Sequence, residues 1–429
     1  MAKVHYKWAI GERPPVVQQH SVAKHEILRA YLVKYIQTLI SSPRQEEFRL
    51  TLVDGFAGGG IYRHASTRDE VLGSPFVMLD AVKEAEFLVN KDRHKKVRFH
   101  LHYFFIEHNK GAAEVLRHQL RERGYGPKLD ESIFVFQSRF QDKAEDITAF
   151  IRKKGRAARS IFLLDQYGYS EVPAPLINKL LQSLPGGEVI LTFAVDSFLN
   201  FAGDNQVSKS LLKRIGIQNV FRGRTIEDIK RSEKDWRLFI QGCLYKDLVD
   251  ACGAKFYTPF FIRSSQGHGD YWLLHLSQKP RARDVMTRIH WEKNNYFIHY
   301  GDAGLDMFHM LGYVPEKDQN FTGQLEMFCF DDSAKTASIL KLMEQIPRLI
   351  YPDPAGVSFG DFFARTCNST PASAHIYREA LGSLVQFKEL EVISLDGTER
   401  RSAGRIHDSD QILPPRQRHF CFDKLSEPK

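Results

Sequence analysis

The sequence contains no apolar run of the roughly 20 residues that a membrane-spanning helix needs, so no membrane association through such a helix is expected. Its first residues, MAKVHYKWAIGERPP, carry charges but no apolar core of secretory-signal length, and a cytoplasmic location is expected. Cysteine is scarce. The five present (Cys243, Cys252, Cys329, Cys367 and Cys421) are scattered, odd in number and never in C-x-x-C spacing. That excludes a disulfide framework and a cysteine-built zinc site, and leaves them as small hydrophobes; no metal site is expected. Internal repeats and low-complexity tracts are also missing, which excludes solenoids and extended linkers.

At 429 residues the chain is too long for one ordinary core and suits two or three domains. Lysine and arginine number 60 against 52 acids, a formal net charge of +8. A surplus of that sign favours a polyanionic partner, because a basic surface gains from counterion release on phosphates. It also serves plain solubility.

Residues 21–41 carry Ile27, Leu28, Leu32, Ile36 and Leu39 at helical spacing, with Pro43 just beyond, and predict an amphipathic helix. Five short apolar runs follow, at 48–54, 97–106, 133–137, 160–165 and 188–195. They alternate with helical patterns at 74–90, 109–124, 141–154 and 173–183, the signature of βαβ units and a parallel sheet covered on both faces. Residues 197–252 read as a helical insertion. Runs at 255–263 and 270–278 flank Ser264 to Gly269 and predict an antiparallel hairpin at the sheet edge, as in methyltransferase sheets. A helix is expected over 281–293. The expected class is therefore α/β, a Rossmann-like S-adenosylmethionine-methyltransferase fold with a helical insertion, over about 1–330.

From about 331 to 429 the pattern changes. A helix over 335–348 ends near Pro347, and Ser358 to Asp361 has capping-box spacing. Thr370-Pro371 offers an N-cap and a first-turn proline for a longer helix reaching about Lys388. Two short strands then flank Asp396-Gly397, a tight-turn dipeptide. Three helices and a hairpin in this order predict a winged helix.

Asp54-Gly55-Phe56-Ala57-Gly58-Gly59-Gly60 directly follows the first strand. Glycines there let the backbone turn sharply and approach a ligand with no Cβ in the way; the bland alternative is a turn and nothing more. The acid at the strand end departs from G-x-G-x-x-G, and a second acid, Glu107, ends the next strand. A carboxylate placed there can accept both hydroxyls of a ribose. Asp54, Gly55, Phe56, Gly58, Gly60 and Glu107 are thus candidate contacts for S-adenosyl-L-methionine. Ser138, after the third strand, would lie beside the adenine.

Asp165-Gln166-Tyr167-Gly168-Tyr169-Ser170 follows the fourth strand and faces the same crevice, since ligands of open α/β sheets bind at the carboxyl ends of strands. It is similar to the Asp/Asn-Pro-Pro-aromatic loop of amino-group methyltransferases, with Gln166 and Tyr167 in place of the prolines and Gly168 in place of the aromatic residue. Asp165 would orient an amine and Tyr167 would stack on a base. Alternatively, Asp165 caps the helix beginning near Pro173. Lys24-His25 would either line the crevice or sit on a solvated helix face. In the C-terminal domain, Ser373, His375, Arg378 and Gln386 lie off the apolar stripe of Ile376, Ala380, Leu381 and Leu384. With Arg400 and Arg401 on the wing, and Arg405, Arg416 and Arg418 beyond, they are candidate contacts to DNA or RNA. Winged helices also dock proteins.

Taken together, Leu52 to Gly60, Gly73-Ser74-Pro75, Phe105 to Asn109, Leu164 to Gly168, Tyr271 to Leu274, Val285-Met286, Val357 to Asp361 and Glu379-Ala380-Leu381 resemble the three-Cys-motif partner protein family over about Val22 to Phe422. The resemblance implies a methyltransferase-related domain with a winged-helix tail. It also implies a radical-SAM-like partner protein with three clustered cysteines, in bacteria and mobile elements. Three functions stay open: a nucleic-acid methyltransferase, a non-methylating nucleic-acid-binding partner protein, and a nuclease in which Asp54, Glu107, Asp165 and Asp196 gather a metal.

Overall fold

In the computed structural model, the structure describes residues 6–17, 19–155, 159–166, 168–201, 206–217, 220–233, 236–262, 271–293, 297–299, 303–305 and 328–415. The chain divides into two compact units, Met1–Gly301 with Phe308–Asp331, and Asp302–Met307 with Asp332–Lys429.

The first unit is built on one sheet. Its strands are β1 (Glu47–Asp54), β2 (Arg98–Glu107), β3 (Ile133–Gln137), β4 (Arg159–Leu164), β5 (Gly187–Ala194), β6 (Phe256–Ile262), β7 (Tyr271–Ser277), β8 (Phe297–His299) and β9 (Phe328–Cys329). They lie in the order 3-2-1-4-5-7-6-8-9. The first five are parallel, and β7 runs antiparallel to both β5 and β6. The 3-2-1-4-5-7-6 order with a reversed seventh strand is the Rossmann-like methyltransferase arrangement. The observed strands fall within two residues of the predicted ones. Their apolar runs are buried from both sides, as Leu52, Val53, Phe105, Ile106, Ile161 and Leu164 show.

Helix α1 (Gln19–Leu39) lies against α2 (Ser74–Asn90) and α10 (Pro280–Glu292). A buried polar knot pins α1 to the sheet: the Tyr31 hydroxyl donates to Glu188, whose Oε2 also lies 2.9 Å from His275 Nε2. Helices α3 (Lys110–Leu120), α4 (Phe140–Lys153) and α5 (Ala174–Ser183) make the crossovers after β2, β3 and β4. Between β5 and β6 come α6 (Val195–Phe201), α7 (Gln206–Ile215), α8 (Ile226–Ser232) and α9 (Trp236–Cys252). The last packs beside α5 and buries Leu244, Leu248 and Val249 in the main core. The segment expected as an insertion is thus the fold's own crossover, enlarged.

The second unit has the winged-helix arrangement: α11 (Asp332–Ile350), α12 (Phe359–Thr366) and α13 (Ala374–Gln386), with a sheet in the order Val357–Ser358, Gln411–Leu413, Glu391–Ile393. Ser358 caps α12 as its spacing predicts, accepting from the Asp361 N–H. Three details differ from expectation. Helix α11 runs through Pro347 to Ile350. Helix α13 begins at Ala374 under a Ser373 cap, and Thr370 instead follows a short 3-10 turn. The turn at Asp396-Gly397 forms, with Gly397 at φ +84°, but the regular strand partner of Glu391–Ile393 is Gln411–Leu413.

Candidate functional site

Strand order reverses between β1 and β4, and the crevice of an open α/β sheet opens at such a point. Asp54 ends β1, Glu107 ends β2 and Asp165 follows β4, so all three acids stand at the same end of the sheet. The loop after β1 is tied down by its backbone: Gly55 N–H donates to Leu163 O at 2.9 Å and Ala57 N–H to Ile106 O at 3.0 Å. Gly58 and Gly60 hold φ of +60° and +79°, values L side chains rarely adopt.

Glu107 is fixed rather than free. Its Oε2 accepts from Gly58 N–H at 2.9 Å and its Oε1 from Asn109 N–H at 2.7 Å. Each carboxylate oxygen keeps a second lone pair, so the group can still accept from a bound ligand. Ser138 joins the same corner, its N–H donating to the Glu107 carbonyl at 3.1 Å. Asp54 is fully buried; Oδ1 accepts from Phe56 N–H at 3.0 Å, and Oδ2 has no hydrogen-bond partner among the described residues. Burial pushes its carboxyl up to about 7. Phe56 itself packs its ring against the main core.

Asp165 does not cap α5, whose N-cap is Pro173. Both of its oxygens accept from the Lys24 ammonium, at 2.6 and 2.7 Å. Burial alone would push this carboxyl up, but Lys24 outweighs it and holds Asp165 below the ordinary carboxylate range. The neighbouring His25 is half-buried in the same crevice, and desolvation of its ring brings the imidazole down to about 4; its Nδ1 has no hydrogen-bond partner among the described residues. The pair lies on the crevice side of α1, beside a small cavity also lined by Thr192 and Leu273. Gln166, where a proline was expected, folds its buried side chain back so that Oε1 accepts from the Glu171 and Val172 N–H groups. It thereby shapes the loop that Asp165 begins. Tyr167 lies outside the described residues.

Sequence reasoning missed two aromatic residues. Tyr62, on the strand Ile61–His64, is close enough to Asp165, Asp54 and Glu107 that their charges add to burial in raising its phenol. Trp8 lies across the glycine loop: a Cβ on Gly59 would come within 2.3 Å of its indole, whose Nε1–H donates to Ile61 O at 3.0 Å. The rings of Trp8 and Tyr62 meet edge to face at 5.5 Å. The Tyr62 signal was its position two residues beyond Gly60; nothing in the sequence links Trp8 to the loop.

In the winged-helix unit three of the candidate contacts, Ser373, Arg378 and Arg400, are engaged within the chain itself. Ser373 is 3% exposed and committed to its cap, because the helix starts there. Arg378 donates to Ile406 O and Asp408 and covers the Phe359 ring. Arg400 donates to both oxygens of Asp410, which is 1% exposed, so its charge neutralises a buried acid. His375 and Arg401 remain on the surface, at 65% and 85% side-chain exposure. Among the described residues no three His, Cys, Asp or Glu side chains gather as a metal site, and the Asp196 side chain lies outside them. No helix of the described residues is long and apolar enough to cross a membrane.

A family model described as GMT-like wHTH domain matches residues 312–397. No curated protein matches the sequence. Among solved structures, a protein from Legionella pneumophila str. Philadelphia 1 is similar at 10% identity and a TM-score of 0.37, over 65% of this chain and 93% of its own. Trm1 from Pyrococcus horikoshii, solved with S-adenosyl-L-methionine, is similar at 9% identity and a TM-score of 0.29, over 79% of this chain and 75% of its own. Both likenesses are slight. The fold rests on the strand order, and the C-terminal unit is a winged-helix domain.

Proposed function

We propose that the protein binds S-adenosyl-L-methionine at the carboxyl end of its sheet and methylates an amine of a nucleic-acid base. The observation that carries this reading is the convergence of Asp54, Glu107 and Asp165 around one glycine loop at a topological switch point. The donor set fits the cofactor. Glu107 presents a carboxylate already aligned by two main-chain donors for a ribose diol. The glycine loop offers backbone close at hand, and Ser138 stands beside Glu107 for the adenine. When bound, the cofactor supplies an electrophilic methyl group.

The remaining work belongs to the chain. Asp165, kept ionised by Lys24, accepts a hydrogen bond from the amine and aims its lone pair, a positioning role of the kind that lowers the entropic part of a barrier. Its depressed pKa makes it a poor proton store, so the proton released when the amine is methylated would pass to solvent water. Tyr167 is assigned the stacking contact with the base, and Tyr62 joins it in our reading because of its place among the three acids. His375 and Arg401 of the winged helix would add phosphate contacts. A radical-SAM-like protein with three clustered cysteines is the proposed partner, on the family resemblance.

The test is methyl transfer from labelled S-adenosyl-L-methionine to mixed DNA and RNA, with and without the three-cysteine partner. Label in either nucleic acid, lost in Asp165→Asn, supports the reading. A second reading, a non-methylating nucleic-acid-binding partner protein, draws on a specific observation: Lys24 engages both Asp165 oxygens and Trp8 lies on the glycine loop. Cofactor binding without transfer to any acceptor would favour it.

A further inference from the structure

The opposite end of the sheet, where the strands begin, is lined by cations with few acids to answer them. A cleft of about 750 Å³ at the start of β4 and α10 is lined by Arg159, Lys279 and Arg281. Arg159 also lines a second cleft, of about 650 Å³, with Arg49, His100, His102 and Lys154. His100 and His102 in turn line a third, of about 990 Å³, which includes Lys83 and Lys128. Sharing Arg159, His100 and His102, the three clefts follow one another around the strand-start end of the sheet and form a basic track. Strand β2 makes room for it, because β3 pairs only with Tyr103–Glu107 and leaves Arg98 to His102 without that neighbour.

The charges in this track are largely uncompensated. Glu188 and Glu86 are the acids in its walls, and Glu188 is already engaged with Tyr31 and His275. Glu47 pairs with Arg49 and approaches His100. Among the described residues, Lys154, Arg159, Lys279 and Arg281 form no ion pair. Lys154 Nζ stands 3.5 Å from His102 Nε2. Burial, with Lys154 and His100 beside it, holds the His102 imidazole below its ordinary value. Cations gathered along one end of the sheet with so few acids raise a positive potential that a polyanion relieves.

We propose that this track binds the phosphate backbone of a double-stranded nucleic acid, at a site separate from the methyl-transfer crevice. From β2 to β7 the sheet has three strands between them and four spacings, about 19 Å at roughly 4.8 Å per strand spacing. That matches about six phosphates along one strand of a duplex. A row of clefts suits a ridge of phosphates better than a flat lipid surface. The inference takes the class of partner from the nucleic-acid reading above and adds where its backbone lies. Because β1 is eight residues long, the two ends of the sheet are about 26 Å apart, so a substrate touching both must be folded or long.

The experiment is fluorescence anisotropy of the full chain with labelled duplex RNA and duplex DNA across a salt series. The variants are Lys279→Gln with Arg281→Gln, Lys154→Gln with Arg159→Gln, and an off-track control, Lys110→Gln with Lys179→Gln. Each track pair should lower the slope of log affinity against log salt by about 1.8 and affinity at 0.1 M salt about tenfold or more. The control should change neither. Thermal melting shows whether the Arg159 variant folds, and the exposed Lys279 and Arg281 pair keeps the test valid if it does not. Unchanged slopes, equal losses in the control, no wild-type binding at low salt, or equal losses against phosphatidylserine vesicles would each overturn the proposal. S-adenosylhomocysteine binding, measured alongside, reports separately on the crevice.

Discussion

Lys24 and Asp165, 141 residues apart in sequence, share a bidentate contact of 2.6 and 2.7 Å at the mouth of the sheet. Their side chains are 12% and 25% exposed, so the pair is sheltered without being sealed. It joins α1 to the loop after β4 and decides the charge state of the acid on which the proposed reaction depends.

Removing the ammonium leaves a sheltered carboxylate without its partner. Lys24→Met should destabilise the chain by about 3 kcal/mol, whereas Lys24→Met with Asp165→Leu should recover much of that loss. The sign of the pH dependence should also reverse. In the wild type Asp165 titrates below its unfolded value of about 3.9, so its contribution is complete at neutral pH and fades only below about pH 4. In Lys24→Met burial raises the carboxyl, and stability should fall as pH rises above about 4. Urea melts at pH 4 and 7 on Lys24→Met and on Lys24→Met with Asp165→Leu, whose difference cancels every other titrating group, check this.

His25 gives a second, distinct window. Its imidazole titrates at about 4 in the fold against 6.5 unfolded, so the unfolded chain takes up the proton first. Stability should therefore be complete above pH 6.5 and decline by about 3 kcal/mol as pH falls to 4. His25→Leu should flatten that segment of the profile. An unchanged slope between pH 4 and 6.5 would remove His25 as its source.

Arg400 and Arg401 are neighbours in sequence with opposite expected phenotypes. Arg400→Ala uncovers buried Asp410 and should lower the melting temperature. Arg401→Ala should leave melting unchanged and weaken nucleic-acid binding alike across sequences. Differential scanning calorimetry and gel shifts on the full chain separate the two. Equal melting of both variants would contradict the assignment.

The sheet was legible because its strands are buried on both faces: FRLTLVD and SIFLLD announce themselves as apolar runs, and Asp54 and Glu107 mark where those runs end. What pairs with those acids was not legible. Lys24 looks like any helix-surface lysine, and only the packing of α1 brings it to Asp165. Trp8 reaches Gly59 from a segment with no periodic signal. In the winged helix, Thr370-Pro371 carried the expected cap signal, but the helix starts three residues later, where Ser373, read as a nucleic-acid contact, caps it. Arg378 and Arg400 read as free cations because their partners, Ile406, Asp408 and Asp410, lie in a tail with little pattern of its own.

The central claim is that the loop from Asp54 to Gly60, with Glu107, holds the adenosine portion of S-adenosyl-L-methionine. Isothermal titration calorimetry with S-adenosylhomocysteine tests it most directly. The account predicts saturable one-to-one binding by the wild type. Glu107→Ala should weaken it by about 1.5–3 kcal/mol, roughly ten- to a hundredfold, through loss of a charge-assisted contact. Wild-type protein that releases no heat at millimolar ligand, or a Glu107→Ala variant that binds as tightly as the wild type, would contradict it.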